Sequence, residues 1–381
     1  MLKKCLITVA VASAFTTTAY AGAIAAGDLV VYRVGDGTAA LGSAATSVFL
    51  DEYSTSGVLV QSIAMPTSII GSNKMLTSSG TATSEGGLTL STDGNFIVVT
   101  GYNAAAGTAA IASTTSAATA RTVGVVGMNG VANTTTALTD FSSGNNPRSV
   151  ASTNGTDLWV AGGAGGVRYT TLGSTTSTQL STTVANIRQV EIFGGQLYAS
   201  DSSGTAVRLG TVGAGLPTTA GQTITNLPGF ATGTGSPYSF FMADLNAGVA
   251  GLDTLYVADD AAGIGKYSFD GTTWTSKGLV GASTDAYRGL TGAVVNGNVQ
   301  LFATGNGGSA AAGGGKLVSI LDTTGAFGNF TGTTATTIAT ALTNEAFRGV
   351  VLTQPVPEPE SYALLLVGIG FVGSMARRRR K

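Results

Sequence analysis

A tight turn between two short apolar runs recurs along this chain, and no other feature restricts its fold as strongly. Run 87–91 (Gly-Leu-Thr-Leu-Ser) turns at Asp93-Gly94 into 95–100 (Asn-Phe-Ile-Val-Val-Thr). Run 148–152 (Arg-Ser-Val-Ala-Ser) turns at Asn154-Gly155 into 157–161 (Asp-Leu-Trp-Val-Ala). Run 188–192 turns at Gly194-Gly195 into 196–200, and 288–292 passes through Asn296-Gly297 into 299–303. Run 238–242 reaches 254–258 after a longer loop. Asn-Gly and Gly-Gly pairs supply the positive φ that two-residue hairpin turns need. Val, Ile, Tyr, Phe and Thr fill the runs, as a pleated, half-buried surface prefers. The chain is therefore predicted to be all-β.

Each pair is followed by a Gly-rich loop and a second hairpin, clearest at 266–275, where Asp270-Gly271 is the turn. Units recur every 40 to 60 residues or so, the range of four-stranded propeller blades. A sixth opening run, 347–352 (Phe-Arg-Gly-Val-Val-Leu), has no partner after it, while 29–33, 47–51 and 58–63 form three strands without an opener. The expectation is a β-propeller of about six four-stranded blades over 22–353, closed by pairing of 347–352 with the N-terminal blade. Closure of that kind leaves no free edge between first and last blades. Seven blades is the alternative count, if 101–147 hides a degenerate blade. A β-sandwich is the alternative architecture, whereas a β-helix would show a shorter, stricter period.

Both ends read as addresses. Lys3 and Lys4 precede a mostly apolar stretch, and Ala19-Tyr20-Ala21 fits a small-residue cleavage site, so 1–21 is expected to be a secretory signal peptide. The other end holds a Pro-rich linker at 354–360 with Pro357-Glu358-Pro359, then sixteen uncharged, mostly apolar residues at 361–376. Arg377, Arg378, Arg379, Arg380 and Lys381 close the chain. Sixteen residues are short for a membrane helix, but arginines snorkel and add length. The five cations favour a cytoplasmic C-terminus and act as a stop-transfer block. This tail resembles the PEP-CTERM sorting tail, which also travels under the label of ice-binding protein C-terminal domain. The threonines here cluster irregularly, as at 134–136, and do not suggest an ice-binding array. The resemblance implies an exported protein, transiently anchored in the inner membrane. It also implies an exosortase-type processing protease as partner, followed by release to the cell surface or beyond.

Composition narrows the chemistry. The chain has 381 residues, no histidine, and one cysteine, Cys5, inside the expected signal. Histidine is the commonest general base and zinc ligand, so Ser-His, Cys-His and zinc chemistry are removed. No disulfide or thiol chemistry is expected of the mature chain, and no cofactor is expected. Without the two ends the body holds 12 basic and 18 acidic residues. It has no basic stripe, and nucleic acid is not expected as a partner. Gly315-Lys316 lacks the glycine and hydroxyl of a phosphate loop, and 281–285 lacks the last glycine of a nucleophile elbow. The carboxylates at Asp51-Glu52, Asp244, Asp253 and Asp259-Asp260 read as turn formers more readily than as a calcium site.

Arg148, Arg188, Arg288 and Arg348 occupy equivalent places at the start of their repeats. Opening strands of a propeller stand nearest the axis, so these four form a candidate axial anion site. Pairing with neighbours such as Glu191, Asp285 or Glu345, or with backbone carbonyls, is the plainer expectation. Trp159, Tyr198, Tyr256 and Trp274 are either core residues or platforms for a sugar ring. The functional expectation is a non-catalytic surface or matrix protein, with exopolysaccharide as a partner. The alternative is a propeller enzyme or lectin using carboxylates or calcium on extracellular glycans.

Overall fold

The computed structural model of the protein describes residues 22–354. The expected signal peptide with Ala19 and Ala21, and the tail with Pro357, Glu358, Pro359 and the Arg377–Lys381 block, lie outside them. Among the described residues no helix is long and apolar enough to cross a membrane.

The body is a propeller of antiparallel sheets. Four stand as separate four-stranded blades. They run outward from Pro147–Ser152, from Ile187–Phe193, from Pro237–Ala243 and from Gly289–Val295. The remaining strands fuse into one ten-stranded sheet. This corrects the expectation of six separate blades. The reason is a bridging strand, Thr77–Ser79, that pairs with Ala45, Thr46 and Ser47 on one side and with Tyr102 on the other. The alternative of a seventh blade also fails. Segment 101–147 supplies Arg121–Gly127 and Ala132–Leu138, which pair outward in order from Phe96–Tyr102.

Closure occurs within the ten-stranded sheet. Glu345–Leu352 pairs antiparallel with Leu29–Val34, placing Leu352 opposite Leu29 and Val350 opposite Val31. The first and last described segments are tied again beyond the strands. Thr353 N donates to Asp28 O at 2.9 Å, and Thr353 Oγ1 donates to Ala25 O at 2.8 Å.

Strand periodicity explains the packing. Leu158 and Val160 face one neighbouring sheet, packing with Val98, Val123 and Val150. Trp159 and Ala161, on the opposite face, pack with Val190, Leu197 and Val212 of the next. Leu255 and Val257 likewise pack apart from Tyr256 and Ala258. Middle strands are thus buried on both faces, which is why their sequences are continuous apolar runs. Each fully buried Val, Leu or Phe contributes about 1.5–3 kcal/mol against exposure. The turns carry the expected left-handed residues, Gly94, Gly155, Gly195 and the pair Asn296 and Gly297.

Candidate functional site at the propeller axis

Six inner strands surround the axis, each packed against the next. In cyclic order they are Glu345–Leu352, Thr89–Leu90, Pro147–Ser152, Ile187–Phe193, Pro237–Ala243 and Gly289–Val295. Backbone bonds run between them. Gly349 N donates to Gly86 O at 3.0 Å, Gly87 N to Arg148 O at 2.9 Å, and Ser239 N to Arg288 O at 3.1 Å. So close an approach requires glycine. A Cβ on Gly349 would land against the Gly86 carbonyl oxygen and within 2.7 Å of the Leu88 nitrogen.

Arg188, Arg288 and Arg348 line one axial cavity, together with Tyr238, Gln189, Ser84, Glu85 and Ser239. The open volume between them is about 20 Å³. Arg148 is outside this lining but close enough for the Arg188 charge to act on it. Burial first, and then the Arg188 charge, bring the Arg148 guanidinium down to about 10. Burial, aided by the Arg288 charge, does the same to Arg348, also to about 10, against an opposing pull from Glu85. Both remain cations at neutral pH.

Their partners are mostly neutral. Arg348 Nη1 donates to Gly307 O and Nη2 to Gly80 O. Arg148 donates to Asn146 Oδ1 at 3.2 Å, to Ile187 O at 2.9 Å and to Asn186 Oδ1. Arg188 Nε donates to Ser202 Oγ at 2.7 Å. Arg288 alone among the four has a carboxylate, Asp260, at 3.0 Å. Backbone carbonyls, one of the two expected kinds of partner, are found for Arg148 and Arg348, but the acids named from the sequence are not. Asp285 pairs with Lys316 and Glu345 with Arg33, and Glu191 has no ion pair among the described residues. Arg188 and Arg288 instead flank the same aromatic ring, 4.9 and 5.3 Å from the Tyr238 centroid. Cation–π attraction of this kind strengthens when water is excluded.

Tyr238, Glu85 and Gln189 were not singled out by sequence. A signal existed for the first. Aligning the openers puts Tyr238-Ser239-Phe240 over Arg148-Ser149-Val150, so Tyr238 takes an arginine position. Likewise Gly86-Gly87-Leu88 aligns with Arg288-Gly289-Leu290, and Glu85 precedes the one unit whose arginine is replaced by glycine. Glu85 is fully enclosed. It accepts from Ser78 Oγ, from Ser79 N at 2.8 Å and from Tyr102 OH at 2.6 Å, yet burial still pushes its carboxyl above the usual range.

The other carboxylates serve the fold locally. Asp253 accepts from Leu245 N, Asn246 N and Thr254 Oγ1. Asp259 accepts from Ser236 N and Ala261 N, and Asp51 pairs with Arg33. Among the described residues no three His, Cys, Asp or Glu side chains converge as a metal site would require. Trp159 and Tyr256 are core residues, 2% and 0% exposed. Tyr198 and Trp274 share an apolar recess of about 320 Å³ with Phe193, Leu252 and Phe269.

No curated protein matches this chain. Among solved structures it is similar to a candidate 6-phosphogluconolactonase of Bacteroides uniformis, with 16% identity, 83% of each chain covered and a TM-score of 0.42. A second candidate 6-phosphogluconolactonase, from Bacteroides fragilis, has 14% identity and a TM-score of 0.45, over 83% of this chain and 82% of that one. The β-propeller domain of Myceliophteria thermophila Cps50 (Swd1) has 10% identity and a TM-score of 0.40, over 70% and 89%. Likenesses this distant say nothing about activity. The C-terminal residues are more definite: residues 355–381 match the PEP-CTERM protein-sorting motif, so this is a propeller-like body carrying a PEP-CTERM sorting tail.

Proposed function

We propose that this exported protein is a non-catalytic component of the cell surface or extracellular matrix, released there after exosortase-type cleavage. The observation that carries the reading is the sorting motif at 355–381. The character of the body surface supports it. None of the twelve basic residues between 22 and 354 is exposed, and the exposed acids are only Asp36, Asp93, Asp244 and Asp270. Ordinary soluble domains carry a quarter or more of their surface as charge. This one presents mainly hydroxyls, small side chains and scattered aliphatics, a surface compatible with neutral, hydrated polysaccharide. The body has no histidine, and among its described residues no three His, Cys, Asp or Glu side chains converge.

The test compares cells with and without the exosortase-type protease. Parent cells should yield a surface or released form lacking 361–381, and the deletion strain a membrane-held form that keeps the arginine block. Identical mass and location in the two strains would refute the reading. The recess beside Tyr198 and Trp274 favours a second reading, a lectin. Retention of the protein on a column of the cells' own polysaccharide, lost in Trp274→Ala, would support that one.

A further inference from the structure

We infer that the axial cavity binds one small monovalent anion, a halide or a formate-sized carboxylate, between Arg348 and Gln189. The inference does not depend on where the protein is sorted.

Unmet hydrogen bonding is the first ground. Arg348 and Gln189 both line the cavity and are 4% and 3% exposed. Arg348 Nε and Gln189 Nε2 have no hydrogen-bond partner. Leaving a buried donor unmade is costly, and two residues of this lining each carry one.

Charge is the second ground. Arg148 and Arg348 are buried against neutral oxygens, Arg188 meets a hydroxyl, and only Arg288 meets a carboxylate. Glu85 and Asp201 are the other nearby acids, which still leaves four arginines against three acids, and the two oxygens of Glu85 are already taken by Ser78, Ser79 and Tyr102. Burial also favours its neutral form. Buried charges are ordinarily paired, and here the cations outnumber the acids. A water would satisfy the two donors and leave that charge uncompensated.

Size is the third ground. About 20 Å³ of open volume suits a particle the size of a water or a halide.

The test uses the native protein with bromide and formate as probes. Crystals soaked in bromide should show one anomalous peak within hydrogen-bonding distance of Arg348 Nε and Gln189 Nε2. In solution, replacing gluconate, too bulky for the cavity, by bromide or formate at constant ionic strength should raise Tm saturably. The probe that saturates at lower concentration identifies the halide or the carboxylate as the better occupant. Gln189→Leu should raise the half-saturating concentration about tenfold. If that variant does not fold, Gln189→Met reads the same loss. An ordered water at the site in bromide-soaked crystals would overturn the inference. So would a Tm that does not distinguish bromide and formate from gluconate.

Discussion

The innermost and outermost strands of one sheet hardly resemble one another. All eight residues of Glu345–Leu352, at the axis, are buried. In Leu59–Ala64, three strands outward, four of six are exposed, with Leu59 at 51% and Val60 at 55%. The inner strand includes a buried arginine and a glycine that no other residue could replace. The outer strand carries neither constraint and ends the sheet as an open edge. Along this sheet, burial and close backbone contact are thus concentrated at small radius, while the outermost strand is tolerant. Edge strands often protect themselves with lysine. This one has none, and Leu59 and Val60 stand exposed on it.

The sharpest way to break the comparison is to crowd the axis. Gly349→Val should lower stability by about 3 kcal/mol, read from the urea midpoint, because its side chain meets the backbone of Gly86 and Leu88. A mild effect would mean that the inner strands are less tightly fixed than described.

A second probe lies between two blades. Lys266 and Asp322 form a buried ion pair at 2.7 Å, and Tyr256 OH donates to the same carboxylate at 2.6 Å. Lys266→Met should cost about 3–5 kcal/mol by leaving a buried carboxylate without its cation. The double variant Lys266→Met with Asp322→Leu should recover much of that loss.

Solution pH separates the two buried acids. The Glu85 carboxyl is raised by burial, so the folded state holds its proton more tightly than the unfolded chain. Stability should therefore fall as pH climbs above the ordinary value of 4.5, until Glu85 is ionised in both states. Glu85→Gln should flatten that limb. Burial alone would raise Asp322 too, but hydrogen bonds from Lys266, Thr324 and Tyr256 outweigh it and hold the group low. Its contribution is present above the ordinary 3.8 and is lost as pH falls through the folded value. Thermal midpoints measured from pH 2 to 8 would show both limbs. At the periphery, Val60→Thr should change stability by no more than about 0.5 kcal/mol.

The architecture was legible where backbone geometry demands a residue type. Gly94, Gly155, Gly195 and Asn296-Gly297 marked hairpins because few other residues adopt positive φ, and the orphan 347–352 run foretold the closure. The fused sheet was not legible, since Thr77–Ser79 is three polar residues with no strand signature. At the axis, the repeat position of the arginines indicated which strands converge. Their partners did not follow from it. Asp260 lies 28 residues from Arg288, and Asp322 lies 56 from Lys266. Such pairs are created by the packing of one blade against the next, which brings separated segments together without leaving a local pattern.

Amide hydrogen exchange on the native protein tests the central claim, that one closed ring of inner strands holds the body together. Amides of Phe347 to Leu352 should exchange with the slowest class, alongside those of Leu29–Val34, while Leu59–Ala64 and Thr336–Thr340 exchange orders of magnitude faster. If 347–352 instead opens with the outer strands, the ring is not closed in solution and this account is wrong.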